Sequence, residues 1–141
     1  MIDIKIEITE NGFLPKYMTE GSSGADLFAS EEVCIEPFDV SLIPTGIRVE
    51  IPSGYEIQIR PRSGYSLKNK ILILNSPGTI DSDYRGEIKI IMFNLNRERF
   101  CVKKGERIAQ MVLSKVEKAN FIEGKINSTK RGDGGFGHTG Q

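Results

Sequence analysis

The sequence contains no tryptophan, and it carries one histidine and two cysteines among its 141 residues. A single histidine excludes a multi-histidine metal site and the His/Cys set of a zinc deaminase. Cys34 and Cys101 are too far apart in sequence for a disulfide framework or a cysteine-rich zinc site, so a reducing compartment is the simplest interpretation. If the chain is an enzyme, its expected reagents are water, a carboxylate and an oxygen-bound metal.

Excess charge of one sign and long apolar runs are missing as well. The 19 Lys+Arg and 19 Asp+Glu residues give a formal net charge of +0, which argues against a protein that binds nucleic acid through a general basic surface. An anionic ligand would have to be held by a local cluster of donors. The longest apolar runs, such as 71–74, are short, and no signal-peptide pattern follows Met1, so we expect a cytoplasmic protein without a membrane segment.

Short segments of alternating polarity dominate the chain. At the N-terminus, every second residue from Ile2 to Ile8 is isoleucine and the residues between are polar, which is the period of a half-buried strand. Similar strand-like runs recur at 33–35, 47–51, 55–60, 71–74 and 87–93, and the six prolines fall between them. The pattern predicts one all-β domain, a sandwich or barrel with its own core.

Two segments also fit a helix. The stretch from Ser63 to Asn69 can form one or two helical turns. Residues 107–118 fit helical spacing about as well as they fit alternation. We favour a strand there because of the surrounding pattern, and the helical alternative stays open.

Four segments combine turn residues with polar groups, and each also has an ordinary structural explanation. Asp26 in 23–29 can cap a turn, and Ser63 in 61–66 can cap a helix beside Arg62. A helix start with free N–H groups, a hydroxyl and a guanidinium also suits an anion. In 105–112, polar side chains stand among apolar ones and need partners, most commonly within the chain.

The segment 75–86 is the richest of the four. Pro77 and Gly78 mark a tight turn between two strand-like runs, which predicts a hairpin whose backbone faces a planar ligand. Asp81 offers a carboxylate for a general base or a metal ligand. A solvated acidic turn explains the same residues without any function.

The C-terminal segment 131–141 differs in kind, because it holds five of the fifteen glycines. A frayed terminus is the usual explanation for such a tail. Its functional alternative is a flexible arm whose N–H groups wrap phosphates, with Arg131 adding charge and Phe136 a stacking surface. The segment lacks the Gly-Lys-Ser/Thr of a Walker P-loop.

Taken together and in order, the five segments resemble the five motifs of the homotrimeric dUTP diphosphatase (dUTPase) family. The matching stretches are GADL at 24–27, PRSG at 61–64, GTIDSDYRG at 78–86, GERIAQ at 105–110 and the tail from Arg131. The resemblance implies a jelly-roll-like β domain at 1–128 and an arm at 129–141. It also implies a trimer whose shared active sites the arm closes.

The implied activity is the Mg²⁺-dependent hydrolysis of dUTP to dUMP and pyrophosphate, which limits uracil incorporation into DNA and supplies dUMP for dTMP synthesis. Asp81 would be the general base that activates water against the α-phosphorus, and Asp26 would orient magnesium-bound water. Tyr84 would lie beneath the deoxyribose and exclude a 2′-hydroxyl. The residues implied to recognise uracil are Asn75, Gly78, Thr79 and Ile80. Those implied to hold phosphate oxygens are Arg62, Ser63, Gly64 and Gln110.

The tail would supply Arg131 to the terminal phosphates, Phe136 to stack over uracil and Gly137 as a further contact. Outside the tail, Lys89 lies where some family members contact substrate. The sequence departs from the family pattern at His138, where the family usually has serine. We therefore expect an intact arm with an altered γ-phosphate contact and altered pH dependence. Two alternatives are a dCTP deaminase, which shares the trimeric fold, and a non-catalytic binding module on the same scaffold.

Overall fold

The computed structural model describes residues 1–137 and 140, and within them the chain is almost entirely β-structure. His138, for which an altered γ-phosphate contact and an altered pH dependence were expected, lies outside the described residues. The strands are β1 (Lys5–Ile8), β2 (Ala25–Phe28), β3 (Val33–Ile35), β4 (Val40–Pro44), β5 (Ile47–Glu50), β6 (Tyr55–Arg60), β7 (Ile71–Ile73), β8 (Gly78–Ile80), β9 (Lys89–Asn94), β10 (Phe100–Val102) and β11 (Arg107–Lys115). One helix, α1 (Ser63–Asn69), follows β6. No helix in the described part of the chain is long and apolar enough to cross a membrane.

The strands form antiparallel sheets, which confirms the all-β prediction. The largest sheet has the order β2-β11-β6-β8, and a second has the order β4-β9-β7. Two further pairs join β1 to β5 and β10 to β3. The large sheet carries most of the residues singled out in the sequence, because β2, β11 and β8 belong to three of the five motifs.

The core is rich in isoleucine. Because side chains alternate along a strand, Ile47 and Val49 of β5 face the core, whereas Arg48 and Glu50 face outward. The same rule buries Ile90 and Met92 of β9. Each such side chain contributes about 1.5–3 kcal/mol when it is removed from water. This core holds the sheets rigidly enough to position polar side chains at their edges.

Several sequence predictions are confirmed, and two need correction. The helix at Ser63–Asn69 is observed, and Arg107–Lys115 is a strand rather than a helix. At the N-terminus the strand begins only at Lys5. The prediction that prolines lie outside strands is wrong for Pro44, the last residue of β4. Because β4 is an edge strand of its sheet, the missing N–H is tolerated there.

The predicted pairing of the two strand-like runs that flank 75–86 is confirmed, but residues 75–81 do not form a two-stranded hairpin among themselves. β7 pairs with β9 in one sheet, whereas β8 pairs with β6 in the other. The turn at Pro77 and Gly78 therefore carries the chain from one sheet to the next. The alternation in 71–74 could not reveal this, because strand period does not identify the partner strand.

The two cysteines form a disulfide, contrary to the sequence expectation. Cys34 of β3 and Cys101 of β10 are directly opposite each other in the antiparallel pair, and their Cα atoms are 4.0 Å apart. The sequence separation of 67 residues misled the prediction, because antiparallel pairing places distant residues side by side. The bond links the chain that follows β2 to the chain that precedes β11.

We expect loss of this bond to lower the free energy of unfolding by about 2–4 kcal/mol, since a long closed loop restricts the unfolded chain. Urea unfolding of the protein with and without dithiothreitol measures the effect. The double variant Cys34→Ser, Cys101→Ser should match the reduced protein and should not respond to dithiothreitol. Equal unfolding midpoints for the oxidised and reduced protein would contradict the expectation.

Candidate active site

Asp26 is the centre of the first cluster of site residues. It lies on β2 with 7% of its surface exposed. Its Oδ2 atom is 3.1 Å from Nη1 of Arg107 and 3.2 Å from Nε of Arg62. Arg62 also donates from Nη1 to the carbonyl oxygen of Arg107, at 2.8 Å. One carboxylate oxygen thus holds two guanidinium groups, and the pairing compensates a charge that would be costly to bury alone.

Gln110 belongs to the same place in the fold. It is the register partner of Asp26 across β2 and β11, and its Nε2 donates to the carbonyl oxygen of Pro61 at 3.0 Å. A Cβ atom at Gly24 would overlap Oε1 of Gln110, so only glycine allows the amide to cross there. We call Asp26, Arg62, Arg107 and Gln110 the Asp26 cluster.

The start of α1 adjoins this cluster. Arg62 is extended, with φ −96° and ψ 122°, and no side chain caps the helix. Ser63 and Gly64 are exposed in its first turn, and nothing lies within 4 Å of the place a Cβ would take on Gly64. The first N–H groups of the helix are therefore available to a ligand next to the Arg62 guanidinium.

A cavity of about 560 Å³ is lined in part by four residues of the motif at 78–86. It is lined by Leu42, Arg48, Thr79, Ile80, Asp81, Tyr84, Glu87, Lys89 and Ile91, and we call it the Asp81 cavity. The Tyr84 hydroxyl donates to the carbonyl oxygen of Glu87 at 2.9 Å. A Cβ atom at Gly86 would overlap the Tyr84 phenol, so the ring lies against the glycine backbone. Lys89 Nζ is 3.8 Å from Glu87 Oε2 at the same cavity.

Asn75 and Gly78 are close together beside this cavity. Nδ2 of Asn75 is 3.2 Å from the position that a Cβ would take on Gly78. Gly78 is buried and paired with Ile59 of β6, whereas Thr79 is exposed. The side-chain amide of Asn75 therefore lies beside the backbone of β8. Together they offer neighbouring hydrogen-bond donors and acceptors.

Asp26 and the strand that leads to Asp81 lie at opposite edges of one sheet. Asp26 is on β2 and Gly78 is on β8, and two strands separate them in the order β2-β11-β6-β8. Three gaps of roughly 4.8 Å place the two edges about 14 Å apart. The structure therefore brings the predicted residues together as two groups rather than one.

The C-terminal arm joins neither group. Every residue from 117 to 133 is exposed, and Arg131 donates from Nε to the carbonyl oxygen of Gly134, at 2.7 Å. Phe136 is fully exposed with φ 51°, and Gly137 has φ 88°. The tail residues predicted to contact substrate are placed in solvent in this structure.

Sequence reasoning missed residues that the structure places at the site. Arg107 was noticed only as a polar residue needing a partner, and that partner is Asp26. Arg48 lines the Asp81 cavity, yet in the sequence it is an ordinary outward residue of a strand. The Tyr65 hydroxyl donates to Oε2 of Glu106 at 2.9 Å. No spacing rule could have revealed that bond, because its partners are 41 residues apart.

The site residues fit Mg²⁺ in their chemistry. Carboxylate oxygens are the ligands this cation prefers. Both cations of the Asp26 cluster contact Oδ2, and Oδ1 accepts no hydrogen bond from the described residues. That second oxygen can accept a hydrogen bond from metal-bound water, as the sequence predicted for Asp26.

Comparison with known proteins finds a family that the chain matches. The dUTPase family model matches residues 10–140. The deoxyuridine 5'-triphosphate nucleotidohydrolase of Fusobacterium nucleatum is 49% identical over 143 residues, which covers 99% of this chain and 98% of that protein. The protein of the same name from a Thermoanaerobacter species is 52% identical, with the same coverage of both chains.

Solved structures show the same likeness. A mutant of the Staphylococcus bacteriophage 80alpha dUTPase, solved with dUpNHpp, matches with a TM-score of 0.88 and 25% identity. The match covers 100% of both chains. The likeness therefore extends over the whole chain.

Proposed function

The chain belongs to the dUTPase family, and from that premise we propose how its residues hydrolyse dUTP. Its fold is the jelly-roll-like β fold of this family, and its activity is that of a dUTP diphosphatase. The products are dUMP and pyrophosphate. This reaction limits uracil incorporation into DNA and supplies dUMP for dTMP synthesis.

Asp81 acts as the general base. Its side chain is exposed at the Asp81 cavity, where water can approach the carboxylate. The carboxylate takes a proton from a water molecule while the water oxygen bonds to the α-phosphorus. The bond from the α-phosphorus to the oxygen that bridges to the β-phosphorus breaks, and pyrophosphate leaves with that oxygen. Alignment of water and phosphorus is the main requirement of such a transfer.

The uracil and the sugar bind at the other residues of the same motif. Asn75 and the backbone of Gly78, Thr79 and Ile80 match the donors and acceptors of the base edge. Tyr84 lies beneath the deoxyribose, and its ring is held by the hydrogen bond to Glu87. A fixed ring leaves no space for a 2′-hydroxyl, which distinguishes dUTP from UTP. Lys89 is close enough to the cavity to contact substrate.

The phosphates bind at the Asp26 cluster and the start of α1. Arg62, the N–H groups of Ser63 and Gly64, and Gln110 supply donors to the phosphate oxygens. Asp26 orients Arg62 through its 3.2 Å contact. Preorganised donors stabilise the charge that develops in the transition state. A net-neutral chain can hold one triphosphate in this way, because the positive field is local.

Mg²⁺ bound to the substrate phosphates would neutralise charge on the leaving pyrophosphate. Asp26 would hold water of that metal through Oδ1, the oxygen that the arginines do not contact. The Asp26 carboxylate would thus support phosphate binding in two ways. One oxygen orients the arginines, and the other would accept a hydrogen bond from metal-bound water.

The two edges of the sheet meet in an oligomer. A homotrimer would bring the Asp26 cluster of one copy to the Asp81 cavity of another and so complete a shared site. The arm at 129–141 would then close over it, with Arg131 on the terminal phosphates and Phe136 on the uracil. Closure would exclude water and strengthen these contacts.

The observation that carries this proposal is the convergence of three separated motifs on Asp26. Its Oδ2 contacts Arg62 from the second motif and Arg107 from the fourth. A binding module with no reaction to perform has no need of a buried carboxylate in this arrangement together with an open Asp81.

Incubation with dUTP, UTP and dCTP in the presence of Mg²⁺ tests the activity. We expect dUMP and pyrophosphate from dUTP, and at least about a hundredfold lower kcat/KM with UTP, because a steric clash with a fixed ring is costly. Ion-exchange chromatography separates the products. Formation of dUTP or dUMP from dCTP would support the deaminase alternative, and no product from any nucleotide would support a binding module.

A further inference from the structure

The helix that presents phosphate-binding groups has little support from the core, and Tyr65 is its residue that packs partly against it. α1 spans seven residues, buries none of them, and has neither a side-chain cap nor an acidic residue in its first turn. Helices this short are not stable by themselves in water. The position of Ser63 and Gly64 must therefore depend on individual side-chain contacts.

At the substrate-facing end of α1, one of those contacts is made by Tyr65. Its ring packs edge-on against Phe100, with centroids 6.3 Å apart and an interplanar angle of 81°. Its hydroxyl donates to Oε2 of Glu106 at 2.9 Å. Burial raises the pKa of Tyr65, and the hydrogen bond and negative charge of Glu106 raise it further, so the phenol keeps its proton.

Glu106 is itself held by the sheet. Its N–H donates to the carbonyl oxygen of Lys103 at 3.1 Å, and its carbonyl oxygen accepts from the N–H of Ala29 at 2.9 Å. The residue immediately precedes Arg107 of the Asp26 cluster. A bond to Glu106 thus fastens α1 to the same backbone that positions Arg107.

Arg62 is joined to the same stretch of backbone. Its Nη1 donates to the carbonyl oxygen of Arg107 at 2.8 Å, and Tyr65 follows Arg62 by about one helical turn. The bond between Tyr65 and Glu106 therefore fixes α1 beside the point where Arg62 meets the sheet.

We propose that Tyr65 and Glu106 are positioning residues for the triphosphate, in which the bond from the Tyr65 hydroxyl to Glu106 fastens the first turn of α1 to the backbone that positions Arg107. Neither residue needs to touch substrate. The inference rests on the proposed function, because it concerns the donors that bind the phosphates of dUTP.

The test compares Tyr65→Phe, Glu106→Gln and the double variant by steady-state kinetics with dUTP. Tyr65→Phe should raise KM about tenfold and leave kcat within about twofold, since a charge-assisted hydrogen bond contributes to phosphate binding and not to the attack. Adding Glu106→Gln should leave KM within about threefold of that of Tyr65→Phe, because the bond that fastens α1 is already lost in the single variant. Tyr17→Phe is the matched control, since the Tyr17 hydroxyl makes no hydrogen bond in the described part of the chain.

A purely structural role predicts a different pattern. Tyr65→Phe would then lower kcat together with the affinity, both losses would follow the thermal unfolding midpoint, and the double variant would show additive losses. That result, or an unchanged KM in Tyr65→Phe, would overturn the proposal. Failure of the unmodified protein to hydrolyse dUTP would instead overturn the proposed function, so the two failures are distinguishable.

Discussion

Asp81→Asn is expected to lower kcat for dUTP about a thousandfold while the affinity for a non-hydrolysable dUTP analogue stays within about threefold. Removal of a general base costs this order of rate, and the amide keeps the size and shape of the carboxylate. The charge is lost from an exposed side chain, so folding should be unaffected. Single-turnover kinetics and calorimetric titration measure the two quantities.

Asp83→Asn is the matched control, because Asp83 is also exposed and lies two residues further along the chain. It should retain activity within about threefold, since no role in binding or proton transfer is assigned to it. Near-normal turnover in Asp81→Asn would remove Asp81 as the base. Equal losses in both variants would indicate a general electrostatic effect of the acidic turn.

Deletion of residues 131–141 is expected to lower kcat/KM about a hundredfold or more without changing stability. The deletion removes Arg131 and Phe136, which are proposed to contact the phosphates and the uracil, and it leaves the closed site open to water. Among the deleted residues that the structure describes, 131–133, 136, 137 and 140 are exposed and 134 and 135 are half-buried, so little packing is lost with them. Activity assays and urea unfolding of the two chains provide the comparison.

Arg131→Ala and Phe136→Ala divide the effect between charge and stacking. Each single variant should lose less activity than the deleted chain does. Arg131→Ala keeps the stacking contact of Phe136, and Phe136→Ala keeps the charge of Arg131. Full activity in the deleted chain would show that the arm takes no part in the reaction. A lowered unfolding midpoint would show that the arm supports the fold instead.

The sequence predicts local structure here better than it predicts contacts between segments. The alternating pattern of 55–60 and the helix at 63–69 depend on neighbours within a few residues, and both match the structure in their bounds. Cys34 and Cys101 depend on which strands pair, and no periodicity encodes that choice. The same limit explains why the sequence did not show that β8, which lies between the paired strands β7 and β9, joins the other sheet.

The candidate site divides in the same way. Asp26, Arg62 and Gln110 were identified because their motifs are compact and resemble those of a family. Their contacts to Arg107 and Pro61 became visible only when the sheet placed the motifs together. The bond of Tyr65 to Glu106 joins side chains 41 residues apart, and the local sequence of a short helix does not reveal such a partner.

The placement of the two groups at opposite edges of one sheet has a genetic consequence. In a trimer with shared sites, a copy damaged at Asp26 and a copy damaged at Asp81 each keep one edge intact. Mixed trimers of the two defective chains would contain sites built from the two intact edges. Mutations at opposite edges would therefore complement each other in a cell that expresses both alleles, whereas two mutations at the same edge would not.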